Sequence, residues 1–215
     1  QGNSLIIILS LIFSAFFSLS LLFTSNRNNV KIVNNLTHSN FSPMKLTVEP
    51  NITFESAIAL TQNFLEVMEE LSETEKEEII SSLVSTENGA RGFFVTYLTS
   101  ESKVVDQESV GIINGLKTSP DIVGELLVKN VAMSTAMKIT HQRNQDEEMA
   151  NNSQRVTNRS IQLINRLSTE EITTKMQQMI ETIEAKKGTY QNFLERWGYD
   201  QQQKQVILDT FLRIL

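Results

Sequence analysis

Two histidines are the side chains of this chain whose type and surroundings first suggest metal binding or proton transfer. His38 lies in an Asn-rich stretch, and His141 begins a polar segment in which Glu148 follows seven residues later, on the same face of a helix. A di-metal site in a helical bundle needs Glu-x-x-His pairs on two helices, and neither histidine has a glutamate three positions before it. The sequence therefore predicts no metal site, no cofactor and no catalytic residue.

Sequence motifs of other common catalytic and ligand-binding sites are also absent. The chain has no cysteine, which excludes disulfides, thiolate metal sites and a cysteine nucleophile. It contains neither a P-loop, nor a dinucleotide-binding glycine fingerprint, nor a Gly-x-Ser-x-Gly motif. The net charge of -6 argues against a nucleic-acid-binding protein, which needs a basic face.

The polar segment that begins at His141 is the strongest candidate for a binding surface. Its polar side chains would cover every face of one helix, which is typical of a helix that stands in solvent, bridges domains or contacts a polar partner. We interpret five of these residues as a polar interaction surface: His141, Arg143, Glu147, Glu148 and Arg155. A solvated spacer and a buried polar core around the two arginines and the acidic pair are the alternatives.

The start of the chain contains an apolar segment long enough to cross a bilayer. From Leu5 to Phe23 the residues are apolar apart from four serines, and none carries a charge. At a rise of 1.5 Å per residue this run covers about 30 Å, the thickness of a hydrocarbon core. A cleaved signal peptide is the alternative, but no Lys or Arg precedes Leu5 and the residues after Phe23 form a poor cleavage site. We therefore expect a retained, single-pass membrane anchor.

The residues in and around this segment predict its orientation and one packing face. Arg27 and Lys31 follow the apolar run, so the rest of the chain should face the cytoplasm or the stroma of a plastid. Ser10, Ser14 and Ser18 recur at every fourth position, a spacing that lets two membrane helices pack closely. The alternative is that these serines only bond carbonyls of their own helix.

The rest of the sequence predicts an all-α fold: one membrane helix, a linker and a soluble helical bundle. Apolar residues recur with helical spacing from residue 53 onward. Ser72 with Glu75, and Ser168 with Glu171, have the spacing of capping boxes. We expect one helix to end near Asn88, another to begin at Asp106, and a long helix without a break from 125 to 167, kinked near 151–152.

The sequence of the predicted bundle also indicates a tandem duplication. At an offset of 96 residues the two capping boxes align, as do two basic-Gly pairs, Arg91-Gly92 and Lys187-Gly188, and the aromatic residues that follow them. The alternative is that any two capped amphipathic hairpins look alike. The predicted domains are an anchor at 1–24, a linker at 25–52, repeat 1 at 53–117, a connecting long helix at 118–149 and repeat 2 at 150–215.

Two segments carry a resemblance to known sequences. Residues 126–137 read LLVKNVAMSTAM and continue into HQRNQDEEM at 141–149, and residues 88–94 read NGARGFF. These segments resemble uncharacterised single-span helical proteins of cyanobacteria and plastids. The resemblance implies a thylakoid membrane setting and brings no catalytic residues with it.

These observations favour a non-catalytic function. We expect a membrane-anchored helical adaptor, a peripheral subunit or assembly factor of a membrane protein complex, with a photosynthetic complex as the finer expectation. Its partners would be the lipid bilayer and other membrane-protein subunits, and not nucleic acid. The alternative is a ligand-binding or enzymatic helical bundle tethered to the membrane.

Overall fold

All regular secondary structure is helical in the computed structural model of the protein, which describes residues 46–215. Its helices are α1 Phe54–Val67, α2 Glu73–Val84, α3 Glu87–Thr99, a 3₁₀ turn at Lys103–Asp106, α4 Val110–Lys117, α5 Pro120–Arg143, α6 Glu147–Leu167, α7 Glu170–Ala185, α8 Gln191–Arg196 and α9 Gln201–Ile214. The prediction of an all-α fold is confirmed for these residues. The predicted anchor, most of the predicted linker and the serine face of Ser10, Ser14 and Ser18 lie outside the described residues. Among the helices that are described, none has the length and apolar character needed to cross a membrane.

The predicted continuous helix from 125 to 167 is wrong, because two helices, α5 and α6, occupy this region. Gln145 adopts a left-handed conformation with φ 59°. Its N–H donates to the Gln142 carbonyl at 3.0 Å, and the Asp146 N–H donates to the His141 carbonyl at 2.9 Å, which together make a Schellman-type helix end. The Asp146 carboxylate then accepts from the Met149 N–H at 3.0 Å and caps α6. The chain therefore reverses direction at 144–146 without glycine or proline. This reversal takes the place of the kink predicted near 151–152.

Helix caps explain the other boundaries. The capping box of Ser72 and Glu75 is present at the start of α2. The one predicted at Ser168 is wrong: Ser168 has φ 45° and ends α6, while the hydroxyl of Thr169 caps α7.

Two boundaries in the first half of the chain also differ from the prediction. Asn88 and Gly89 lie in the first turn of α3, which Thr86 caps, and so they do not end α2. Asp106 ends the 3₁₀ turn, and α4 begins four residues after it, at Val110, behind the cap of Ser109. Both differences have the same cause. The hydroxyl groups of Thr86 and Ser109 cap α3 and α4, so each helix begins directly after its cap and not where Gly89 or Asp106 suggested.

Glycines allow the first four helices to approach one another closely. α1 packs against α3, and α2 packs against α4. A Cβ atom built on Gly92 of α3 would lie 2.5 Å from the Cβ of Ala57 on α1. A Cβ built on Gly111 of α4 would lie 2.0 Å from the Glu73 carbonyl oxygen of α2. Neither contact leaves room for a side chain, so glycine sets both helix–helix distances.

The antiparallel pair α5 and α6 is the most extensively packed pair of helices in the described structure. Small residues face each other across it, and the hydroxyl groups of Ser134 and Thr157 are hydrogen-bonded at 2.7 Å in its interior. α5 also contacts α7 and α9 on its other sides, and α6 contacts α3 and α4. The pair therefore joins the first four helices to the last three.

One element of the predicted duplication does not hold. Arg91 and Gly92 lie inside α3, whereas Lys187 and Gly188 lie in the turn between α7 and α8, where Gly188 has φ 144°. The two basic-Gly pairs are therefore not equivalent turns.

Candidate functional site

A polar cleft of about 300 Å³ runs along the outward side of α6, beside the 3₁₀ turn. Except for Asp106 of the turn, its lining residues lie on α6 in two rows, 151–154–158–162 and 151–155–159–162, whose steps are three or four positions, so they form one stripe of that helix. They are Asp106, Asn151, Gln154, Arg155, Asn158, Arg159 and Gln162. Four carboxamides, two guanidinium groups and one carboxylate thus face the same space.

The position of this stripe follows from the amphipathic pattern of α6. The opposite side of the helix is buried against its neighbours and contains Ala150, Ser153, Val156, Thr157, Ser160, Leu163, Ile164 and Leu167. The sequence alone suggested a helix that is polar on every face, because polar residues on both sides of the 144–146 reversal were placed on one continuous helix. In the structure Ser153, Thr157 and Ser160 face inward. The Thr157 and Ser160 hydroxyls donate to carbonyls of α6, Thr157 is also hydrogen-bonded to the Ser134 hydroxyl of α5, and the buried Ser153 hydroxyl has no hydrogen-bond partner.

Arg159 fixes the floor of the cleft. Its side chain is almost completely buried, and it donates to both carboxylate oxygens of Asp106, at 2.8 and 3.0 Å. Its Nη1 atom also donates to the carbonyls of Leu98 and Ser100, at 3.0 and 2.6 Å. The hydrogen bonds from Arg159 lower the pKa of Asp106, and the charges of Arg155 and Lys103 add to this effect. The Arg159–Asp106 pair is therefore a fixed structural element.

Arg155, one helical turn before Arg159, is differently placed. Its Nη2 atom donates to the side-chain oxygen of Asn152 at 2.9 Å, and its Nε atom is buried without a hydrogen-bond partner. Within the described residues no carboxylate forms an ion pair with it. Arg155 is thus a charged group of the cleft whose hydrogen-bonding capacity is only partly used.

Lys138 of α5 adds a second positive charge at the edge of the cleft. Its Nζ atom donates to the Gln154 side-chain oxygen at 2.7 Å, and the Gln154 amide nitrogen donates in turn to Asn158 at 2.8 Å. Like Arg155, Lys138 has a neutral amide as its hydrogen-bond partner. The cleft is therefore positively charged overall, although the chain carries a net charge of -6.

The five residues predicted as one polar surface do not form one. His141 is only 4 % exposed, its Nε2 atom is buried without a hydrogen-bond partner, and burial lowers its pKa. Arg143 points to the start of α9, where it donates to Asp200 at 2.6 Å and to Gln202. Glu147 and Glu148 are exposed in the first turn of α6, where their negative charges interact favourably with the helix dipole. Arg155 alone reaches the cleft.

Asp106 and Arg159 are residues of the cleft that the sequence did not predict as site residues. Arg159 follows Arg155 at the i+4 position, so the two arginines were bound to share a helix face, and that spacing was available in the sequence. The partner of Arg159 could not be found this way, because Asp106 lies 53 residues earlier in the chain.

A second polar cluster lies between α5 and α8. The buried hydroxyl of Tyr190 donates to Glu125 at 2.8 Å, and Lys129 pairs with the same carboxylate at 2.8 Å. Burial and the hydrogen bond to Glu125 both raise the pKa of Tyr190. This cluster connects the start of α8 to α5. In the described part of the chain no group of three or more His, Cys, Asp and Glu side chains is arranged to hold a metal ion.

Comparison with known proteins identifies one conserved family. Over residues 53–214 the chain matches the family described as "Uncharacterised conserved protein UCP020893". This match contains every helix of the described residues 46–215 and the whole cleft. The searches of curated proteins and of solved structures found no match. The cyanobacterial and plastid setting is not addressed by these comparisons and stays a prediction.

Proposed function

We propose a function for this chain, which belongs to the family of uncharacterised conserved protein UCP020893: it is a non-catalytic helical adaptor that residues 1–24 anchor to a membrane. In this proposal the helical domain is a peripheral subunit or assembly factor and binds other membrane-protein subunits. A single-pass topology with the domain on the cytoplasmic or stromal side belongs to the same proposal. A photosynthetic complex of the thylakoid is its finer form and rests on the sequence resemblance alone.

The outward side of α6 is the observation that carries the proposal. This stripe extends from Asn151 to Gln162, and at 1.5 Å per residue it is about 16 Å long. It presents amide and guanidinium groups, which can donate several hydrogen bonds at fixed spacing to another chain. Since the opposite side of α6 is buried in the core, these groups are held on a rigid element.

The second candidate function is a ligand-binding or enzymatic bundle. The cleft itself favours this reading, because a polar concavity with an incompletely bonded arginine is a common form of small-molecule site. Against catalysis, the ionisable groups of the cleft are a guanidinium-paired carboxylate and two arginines, none of which is suited to accept and return a proton at neutral pH. We therefore prefer the adaptor.

The proposal is tested by membrane fractionation followed by co-purification. Alkaline carbonate should leave the full chain in the membrane pellet, and release into the supernatant would contradict the anchor. In mild detergent the chain should co-purify with a membrane-protein partner. Asn158→Trp, a bulky change on the exposed stripe, should remove that partner, whereas Glu184→Trp on the exposed side of α7 should retain it. Loss of the partner in both variants, or in neither, would exclude the α6 stripe as the contact.

The tandem duplication of 53–117 and 150–215 is a separate proposal about origin. Its support is the hydroxyl caps at Ser72 and Thr169, which begin α2 and α7 and lie close to the common offset. An alignment of family members tests it: the apolar positions of the two copies should vary together at that offset. An alignment without internal similarity would contradict the duplication.

A further inference from the structure

We propose that the α6 cleft is a carboxylate-binding site in which Arg155 receives the side chain of an aspartate or glutamate from a partner protein. This inference rests on the proposed adaptor function and names the chemistry of the partner.

Arg155 has donors that the protein itself does not use. A guanidinium carries five N–H groups in a planar fork that matches the two oxygens of a carboxylate. One Nη2 donor is directed to Asn152, and the Nε donor is buried without an acceptor. A buried donor without an acceptor costs free energy, so a ligand that supplies the acceptor removes this cost. Because Arg155 lines the cleft, we expect its side chain to turn toward an entering carboxylate and to donate to it from the fork.

The charges select an anion over a cation or a neutral group. Asp106, the only carboxylate among the described residues that line the cleft, already accepts from Arg159 with both oxygens, so its charge is compensated. Arg155 and Lys138 each donate to a neutral amide, and in the described residues neither forms an ion pair. The Arg155 guanidinium thus lines the cleft without an ion-pair partner, and the Lys138 ammonium adds a second unpaired charge beside the lining residue Gln154. A charge-assisted hydrogen bond between a guanidinium and a carboxylate is the strongest contact that this arrangement can make.

The amides of the stripe favour a chain segment over a free small anion. Asn151 and Asn158 are exposed and lie about 10 Å apart along α6, the distance covered by three residues of an extended peptide. Carboxamides can both donate to and accept from peptide groups. A segment with an acidic side chain can therefore place its carboxylate on Arg155 and its backbone on these amides. A free dicarboxylate can use only the first of these contacts.

Binding of a model peptide to the full chain in mild detergent tests the proposal. The peptide is an extended sequence of alternating glycine and glutamate, acetylated and amidated at its ends so that only side-chain carboxylates are charged, and its affinity is measured by calorimetry. Free glutarate and inorganic phosphate are measured alongside. We expect the peptide to bind more tightly than glutarate or phosphate. We also expect the Arg155 Nε–H signal in the nitrogen–proton NMR spectrum to shift on peptide binding.

Variants of Arg155 separate charge from geometry. Arg155→Gln should weaken peptide binding by about tenfold or more, and Arg155→Lys, which keeps the charge but loses the fork, should weaken it nearly as much. The control is Arg166→Gln, which removes a positive charge from the same helix at a residue paired with Glu108. This variant should bind the peptide like the parent. Thermal unfolding of all three variants should start from a folded state, since Arg155 makes no ion pair that the fold requires.

Several outcomes would overturn the proposal. Equal affinity for glutarate and the peptide would show a small-molecule site, and tighter binding of phosphate would show a different anion. An unchanged affinity in Arg155→Gln would remove Arg155 from the site. The adaptor function fails separately: if Arg155→Gln still co-purifies with its membrane partner, the carboxylate site is wrong and the adaptor stands. If the peptide binds but no partner co-purifies, the site stands and the adaptor is wrong.

Discussion

Arg159 and Asp106 are joined by two nearly parallel hydrogen bonds, from Nε to Oδ1 at 2.8 Å and from Nη2 to Oδ2 at 3.0 Å. The same guanidinium donates to the carbonyls of Leu98 and Ser100, which lie at the end of α3. One side chain of α6 therefore closes the last turn of α3 and holds the 3₁₀ turn in place. Because this turn forms one wall of the cleft, the Arg159–Asp106 pair positions the candidate site. Arg159 itself is not the residue whose donors remain available to a ligand.

Replacing Arg159 should strongly destabilise the fold. Arg159→Met leaves the Leu98 and Ser100 carbonyls and the Asp106 carboxylate without their donor. We expect a loss of about 3 kcal/mol in the free energy of unfolding, at the low end for a broken buried pair because half of the Asp106 side chain is exposed. Urea unfolding measures it. The control is Arg166→Met, whose partner Glu108 is 88 % exposed and which should cost less than about 1 kcal/mol. Similar losses in both variants would contradict the role of Arg159.

How much of the fold the sequence could predict depended on whether each element has a local signal. Hydrophobic spacing and the Ser72 capping box are local, and they predicted helices that the structure contains. The reversal after Arg143 was missed because Gln145, and not glycine, takes the left-handed position there. Asp146, followed by two glutamates, was the available signal for the start of a new helix. This signal was not interpreted as a helix start, because no glycine or proline stands beside it.

The candidate site was harder to predict than the fold. Arg155 was named from its polar neighbourhood, and it does line the cleft. His141 was named for the same reason, yet it is buried, since it falls on the side of α5 that faces the core. The Asp106 wall of the cleft depends on a contact between distant parts of the chain, which local spacing does not contain. Residue type therefore suggested the chemistry, while tertiary packing decided which residues share a site.

Gly92 should tolerate no side chain, whereas Gly124 should. A methyl group at Gly92 would lie 2.5 Å from the Ala57 Cβ and 2.9 Å from the Phe54 carbonyl, so α1 and α3 would have to separate. We expect Gly92→Ala to lower stability by about 1–3 kcal/mol. Gly124→Ala meets the buried Ile172 and the flexible Lys175 side chains at 3.3 Å, contacts that a shift of a few tenths of an ångström relieves, and it gains helix propensity, so its stability should change by less than about 1 kcal/mol. Thermal unfolding of the two variants compares them, and equal stability would refute the close packing of α1 and α3.

The aromatic residues aligned in the predicted repeats pair Phe94 with Tyr190 and Tyr97 with Phe193, and both pairs were expected to fill equivalent core positions. In the structure Phe94 is buried more fully than Phe193. Phe94 is 1 % exposed, whereas Phe193 is only partly buried and packs near the rings of Tyr190 and Tyr199. Phe94→Ala should cost about 3–5 kcal/mol, close to the whole stability of a marginal domain. Phe193→Ala should cost less, because less apolar surface is lost. Chemical denaturation ranks the two variants, and a larger loss for Phe193→Ala would contradict this assignment.

Glu73 should make stability depend on pH in the acidic range. Its carboxylate accepts from Lys76, from the Gly111 N–H and from the Ser109 hydroxyl, and these bonds lower its pKa from 4.5 to about 2. The stabilisation is complete above pH 4.5 and is lost as the pH falls toward 2. Glu73→Gln should cost about 1 kcal/mol at pH 7, since the half-exposed side chain is partly screened, and nearly nothing at pH 2. Unfolding at both pH values tests this, with exposed Glu78→Gln as the control; a constant difference would contradict it.

His141 should make the fold less stable in mildly acidic solution. Burial lowers its pKa below the ordinary value of 6.5, and the nearby charge of Asp146 opposes this only in part. The unfolded chain therefore takes up a proton near pH 6.5 that the folded chain does not, so stability falls as the pH drops below 6.5. His141→Gln has no such proton to bind, and its unfolding free energy should change less between pH 7.5 and pH 5.5 than that of the parent. Urea unfolding at these two pH values measures the difference, and His38 contributes equally to both proteins. If the parent and the variant lose the same stability over this range, the buried side of α5 does not hold His141 in its neutral form.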